Sequence, residues 1–139
     1  MHSRIYNLTT TPLTEDEMYE IAQQYADYVD IISTNTQEEI DWLFDEKSPN
    51  YITKHSPVSF TITKEQQQQY YTDRISMIKE ILDENDTAQN TYDNISYITN
   101  DKFGFLFYDG DDIYTFEELM RYADITRIYT IGQVFDYHW

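Results

Sequence analysis

Apolar positions recur along this chain with two different periods, and the changes from one to the other mark out its elements. Ser3 to Thr9 alternates as a short strand, with Tyr6 and Leu8 on one face and Ile5 on the other, until Pro12 stops it. Met18, Ile21, Ala22, Tyr25, Tyr28 and Val29 then fall at helical spacing behind Thr14 and Glu17, which form a capping box. This spacing predicts a helix from about Glu15 to Val29. Thr36 and Glu39 repeat the box ahead of Ile40, Leu43 and Phe44, with Trp42 beside them, and Ser48-Pro49-Asn50 ends that second helix.

Farther along, Val58, Phe60 and Ile62 alternate with Ser59, Thr61 and Thr63 as a half-buried strand, and Pro57 favours an edge or a strand start there. A third box, Thr63 to Gln66, opens a long helix whose expected inward stripe is Tyr70, Tyr71, Ile75, Ile78, Ile81 and Leu82. Asp83 to Asp93 is polar and aperiodic, so a loop with room for one helical turn is expected. Ile95, Tyr97 and Thr99 alternate again and are separated by Asn100-Asp101-Lys102 from the apolar run FGFLFY, which predicts a hairpin.

The stretch from Phe103 to Trp139 is the expected spine of the fold. FGFLFY reads as a strand, DGDD as a turn, and Thr115 with Glu118 as a fourth box for a short helix carrying Leu119, Met120 and Tyr122. The closing run, ITRIYTIGQVFDYHW, is β-branched and aromatic, and Gly132 within it predicts either a bulge or two strands around a bend. The fold class is therefore α+β: one domain over 1–139, with an antiparallel sheet of about four to six strands covered by about four helices.

Composition supports a folded chain. Aromatic residues make up 17 % of the 139 positions and include 14 Tyr, whereas disordered acidic chains are poor in aromatics. Tyr packs its ring and keeps its hydroxyl wet, so many of these residues are expected at the boundary between core and surface. The absence of Cys removes disulfides, thiol nucleophiles and Cys-based zinc sites, and suits a reducing compartment. With no apolar leader in MHSRIYNLTTT and no apolar run near the membrane-spanning length of about 18 residues, a cytoplasmic location is expected.

Few residues fit catalytic chemistry. His2, His55 and His138 stand in no metal-binding frame, the acids around Gly110 lack the spacing of a calcium loop, and Glu117-Glu118 has a helix-start role. There is neither a nucleophile elbow nor a phosphate-binding loop among only 3 Gly. A non-enzymatic protein without cofactor or metal is the resulting expectation. Exposed Tyr could stack on bases, but single-strand binders pair such rings with a basic groove, which this chain lacks.

Charge distribution adds the most. A net charge of −17 repels nucleic acid and anionic membranes and favours basic partners. From Ile5 to Glu46 there are 11 acids and no Lys or Arg, whereas Lys47 to Leu82 holds 5 bases and 3 acids. The expected partner-binding residues are Asp16, Glu20, Asp27, Asp30, Glu38, Asp41 and Asp45. Acids one or more helical turns apart make a line of negative charge, so a protein that presents acidic helices to a basic surface is expected. In its sharpest form it mimics nucleic acid and blocks a nuclease or DNA-binding protein. The alternative from composition is a small enzyme or small-molecule binder that uses carboxylates in a Tyr-lined pocket.

Overall fold

The computed structural model describes residues 2–24, 30–32, 36–99 and 105–138, with the side chains of 2, 30–32, 137 and 138 left out. Strand β1 (His2–Asn7) runs down the middle of a five-stranded sheet that also contains β2 (Asp30–Ile32), β5 (Phe105–Tyr108), β6 (Ile113–Thr115) and β8 (Gln133–His138). Its strand order is β2-β8-β1-β5-β6. A second sheet, in the order β3-β4-β7, is formed by β3 (Thr53–Ser56), β4 (Ser59–Thr61) and β7 (Tyr129–Thr130). The α+β class stands, while the single antiparallel sheet is corrected to two sheets, the larger of which is mixed because β1 and β5 run parallel. Leu106 and Phe107 are both fully buried, on opposite faces of β5, as a continuous apolar run requires in an interior strand.

Each face of the larger sheet has its own core. Ile5, Leu106 and Phe135 lie opposite one another in register and pack under Ile21 and Ala22 of α1 (Glu15–Gln23). Tyr6, Phe107 and Val134 form the other face, covered by Ile40 of α2 (Thr36–Trp42), by Leu43 and Phe44 of the π-helical turn Leu43–Lys47 that continues it, and by α5 (Phe116–Tyr122). This second core also takes in Phe60 from the small sheet and Tyr70 from α3 (Lys64–Asp83). Fully burying one such large apolar side chain contributes about 1.5–3 kcal/mol.

Capping boxes at Thr14, Thr63 and Thr115 are all present, each Thr accepting from the amide three residues on while the Glu or Gln there reaches back. The box expected at Thr36 is corrected. Thr36 is itself the first helical residue, and the Glu39 carboxylate accepts instead from the Arg4 guanidinium. In α1 the described helix ends at Gln23, and Tyr25, Tyr28 and Val29 of its expected stripe lie outside the described residues.

The largest correction concerns 83–99. The loop is only Glu84 to Thr87, closed by Asn85 at φ 54°, and the expected strand at Ile95 to Thr99 belongs to helix α4 (Ala88–Thr99). The alternation of Ile95, Tyr97 and Thr99 misled because Thr91, Ile95 and Ile98, at helical spacing, form the partly covered face, while Tyr92 and Tyr97 face solvent. Thr87 starts the helix by accepting from the Asn90 amide at 3.2 Å. The hairpin connection 100–104 lies outside the described residues. Along α3, only Tyr70 of the expected stripe is buried; Ile75 and Leu82 are 52 % and 57 % exposed.

Gly132 resolves into the bend. It carries the chain from β7 in the small sheet to β8 in the large one, and its amide donates to the Asn7 carbonyl at 2.9 Å. A side chain there would bring Cβ within 3.0 Å of the Thr9 carbonyl oxygen. Strand β3 and strand β6 carry no strong apolar alternation and were not expected from the pattern; pairing to β4 and β5 defines them.

Candidate functional site

The faces of the larger sheet divide the expected partner-binding residues. Asp16 and Glu20 are exposed on α1, whereas Glu38, Asp41 and Asp45 are on α2 and its π turn, across the sheet. Asp30 starts β2 beside β8, and Asp27 lies outside the described residues. A sheet with both faces covered thus places Asp16 and Glu20 in a different helical layer from Glu38, Asp41 and Asp45.

On the α2 side the acids surround a feature that pattern alone did not single out. Arg4 projects from β1, donates from Nε to Glu39, and holds its guanidinium 4.1 Å from the Trp42 ring centroid. The Tyr6 hydroxyl donates to the Glu39 carbonyl at 2.9 Å. Burial, followed by the charge of Glu39, pushes the Tyr6 phenol well above its ordinary range, Arg4 pulling the other way and Asp136 adding to the rise. Asp136 is buried on β8 directly across from Arg4. A half-buried pair of this kind is held by geometry: removing either partner strands the other charge away from water.

Above this pair opens a depression of about 290 Å³, lined by Arg4, Glu39 and Trp42 below and by Glu38, Asp41, Asp45 and Glu46 around it. The π turn shapes it. The Ser48 hydroxyl and amide both donate to the Leu43 carbonyl, at 2.8 and 3.0 Å, and this longer loop of backbone re-aims Asp45, Glu46 and Lys47 relative to an α-helix. Lys47 ends with Nζ 5.0 Å from the centroid of the same indole system. Asp41 accepts from Gln37 at 3.0 Å, whose amide also donates to the Pro57 carbonyl at 2.9 Å, tying the acidic helix to the small sheet.

Sequence reasoning missed Arg4, Glu39, Trp42 and Glu46. A signal was available for Arg4, the lone base before Lys47 among so many acids. Trp42 gave none, since a Trp next to an apolar stripe reads as core.

No family model matches this chain, and neither the comparison with curated proteins nor that with solved structures finds a similar protein.

A second depression, of about 200 Å³, has the makings of a carboxylate pocket: Tyr114, Tyr122 and Tyr129 line it with Asp109, Glu118 and Asp124. Each acid is already engaged in local structure. Asp109 accepts from Tyr114 Oη at 2.6 Å and from the amides of Asp111 and Asp112, Glu118 closes the α5 capping box, and Asp124 accepts from Thr126. Burial raises the Asp109 pKa, but the Tyr114 and backbone hydrogen bonds outweigh it and hold the carboxyl below its ordinary value. Carboxylates so engaged serve the fold. His55 shares a 2.7 Å hydrogen bond with Thr61, and among the described residues no three His, Asp or Glu side chains converge to hold a metal ion. Among those residues, too, no helix is long and apolar enough to cross a membrane.

Proposed function

We propose that this chain is a non-enzymatic interaction module of the cytoplasm that presents the acidic rim of α2 and its π turn to a basic partner. The observation that carries this reading is the ring of Glu38, Asp41, Asp45 and Glu46 around the Arg4–Trp42 floor. Glu38, Asp41 and Asp45 advance about 10 Å along the helix, a charge every 5 Å or so, against about 3.4 Å along one strand of DNA. Such a line suits a surface that normally grips phosphates, so the sharper form of the proposal is a nucleic-acid mimic that occupies a nuclease or DNA-binding protein. Arg4 neutralises Glu39 from below and leaves the outer acids to set the field that a partner meets. The site's preorganisation supports the reading as well, since the π turn and the Gln37 bridge hold the acidic helix at fixed positions before any partner arrives.

The two faces of the sheet supply the test and its control. Reversing Glu38, Asp41 and Asp45 to Lys is expected to abolish capture of a basic partner, while reversing Asp16 and Glu20 to Lys on the far face is expected to leave it intact. Duplex DNA should compete for the same partner, and the wild-type on-rate should fall steeply with ionic strength. Equal capture by all three proteins, without competition by nucleic acid, would overturn the proposal.

A further inference from the structure

The second depression, of about 200 Å³, is made almost entirely by one run of chain: the turn after β5, then β6, α5 and the connection into β7. Leu8, just past the end of β1, and Leu119 of α5 are both buried and supply its apolar lining. Tyr129 is the informative member. It is 4 % exposed, and its ring is stacked on Phe60 with centroids 5.3 Å apart and planes 15° from parallel. Its hydroxyl accepts from the Asp124 amide at 2.9 Å, yet among the described residues it donates to none. A phenol this deeply buried normally places its hydrogen on an acceptor, and this one is available to a ligand in the depression that Tyr129 lines.

Serving the fold fixes two of the acids here without exhausting them. Glu118 Oε1 accepts from the Thr115 amide and hydroxyl in the α5 capping box, and Asp124 Oδ1 accepts from the Thr126 amide and hydroxyl at 2.9 and 2.6 Å. Those bonds orient both carboxylates and leave Glu118 Oε2 and Asp124 Oδ2 without a hydrogen-bond donor among the described residues. Hydrogen bonds from the Thr126 hydroxyl and amide, helped by the charge of Arg127, hold the Asp124 carboxyl below its ordinary value, so it is ionised near neutral pH. Asp109 differs, since both of its oxygens are taken by Tyr114 and by two backbone amides, and it acts as wall alone. One base and one open ring complete the lining: Arg127 carries its guanidinium 4.5 Å from the Tyr129 centroid, and Tyr122 is 70 % exposed at the end of α5.

We propose that this depression binds a single pyranose sugar. Sugar hydroxyls both donate and accept, which is what the lining calls for: donors for Glu118 Oε2 and Asp124 Oδ2, and an acceptor for the Tyr129 hydroxyl and the Arg127 guanidinium. An ammonium ligand would satisfy the carboxylates and leave the Tyr129 hydrogen without an acceptor, and a carboxylate ligand would do the reverse. Hydrogen bonds to ionised carboxylates are the stronger kind, so neighbouring hydroxyls are gripped where they meet the two acids. The negative face of the Tyr122 ring attracts the weakly positive C–H groups on the flatter side of a sugar. An apolar cavity of about 150 Å³ accepts benzene, so about 200 Å³ suffices for one six-membered ring whose outer hydroxyls stay in water.

Glucose, galactose and mannose, which differ in the orientation of single hydroxyls, are the probes, with cyclohexanol and cyclohexylamine as six-membered rings that lack the polyol. Titrated into the full chain and followed by NMR, at least one hexose is expected to saturate in the millimolar range and to shift amides between Glu118 and Tyr129, with both controls weaker. Glu118→Gln keeps the capping box, as Gln66 does in α3, and is expected to weaken the best hexose about tenfold, as loss of a charge-assisted bond does. Tyr129→Phe keeps the ring on Phe60 and removes the hydroxyl, and a loss of about the same size is expected. Tyr122→Ala changes an exposed side chain, so the fold is retained, and the stacking surface for the sugar is lost with it; weaker hexose binding is expected. Absence of saturable shifts with all three hexoses, shifts that map elsewhere, a control that binds as tightly as the best hexose, or indifference to both Glu118→Gln and Tyr129→Phe would each overturn the proposal. None of these outcomes touches the acidic-surface reading, which rests on other residues.

Discussion

Strand β1 with its neighbours and the α3–α4 pair both carry stripes of large apolar residues, yet they bury them very differently. Tyr6 and Phe107 are fully buried, because β5 and β8 flank β1 and helices close both faces of the sheet. Beyond Tyr70, the stripe of α3 has α4 beside it, and Ile75, Leu82 and Tyr97 stay 52 %, 57 % and 81 % exposed. The side-chain types are alike; what differs is how many elements press on them. The body therefore holds most of the stability, and the helical pair is expected to open at lower free energy, since few buried contacts oppose it.

The largest effect that tests this contrast is Phe107→Ala, expected to destabilise by about 3–5 kcal/mol, while Leu82→Ala should stay within about 0.5 kcal/mol. Urea unfolding of both variants checks it; a comparable loss at Leu82 would mean that α3 and α4 are part of the cooperative core. Gly132→Ala comes next, at about 1–3 kcal/mol, because Cβ would crowd the Thr9 carbonyl and that backbone has little freedom to move. Asn7 Oδ1 grips Thr9 through its amide at 2.9 Å and its hydroxyl at 2.7 Å. An unchanged melting temperature would show that this bend yields.

At the root of the helical pair, Thr63→Ala removes the acceptor for the Gln66 amide and should cost about 1 kcal/mol. Hydrogen exchange should show this loss in the first turn of α3, and protection unaltered there would count against the cap. The smallest effect is at the DGDD turn. Asp109 has a lowered pKa in the folded state, so its contribution to stability is present above the ordinary carboxylate value of 3.8 and is lost as pH falls through the folded value. Tyr114, pushed up to about 12 by its hydrogen bond to Asp109 and then by burial, requires the opposite: its contribution is present below 10.0 and lost as pH rises through about 12. Tyr114→Phe should therefore raise the Asp109 carboxyl pKa in an NMR titration, and an unmoved value would assign the lowering to the backbone amides alone.

Local signals were legible where the chemistry is local. Three Thr-led boxes begin three helices because a hydroxyl and a carboxylate or amide three residues away satisfy the amides there without help from the rest of the chain. The strand over the described part of the apolar run FGFLFY, Phe105–Tyr108, the turn at Gly110 with φ 110°, and a break at Gly132 were readable for the same reason. At Ile95 to Thr99 a two-residue period and a helical one overlap, and only the packing of α4 beside α3 decided between them. The candidate surface divides in the same way. Charge arithmetic located the acid-rich first third of the chain and the base-rich middle, since Coulombic character is carried by composition. Which acids share a face depended on the tertiary structure: the larger sheet separates α1 from α2, and Arg4 reaches across 35 positions to claim Glu39. Contacts of that range are set by strand pairing and burial, which no period along the chain encodes.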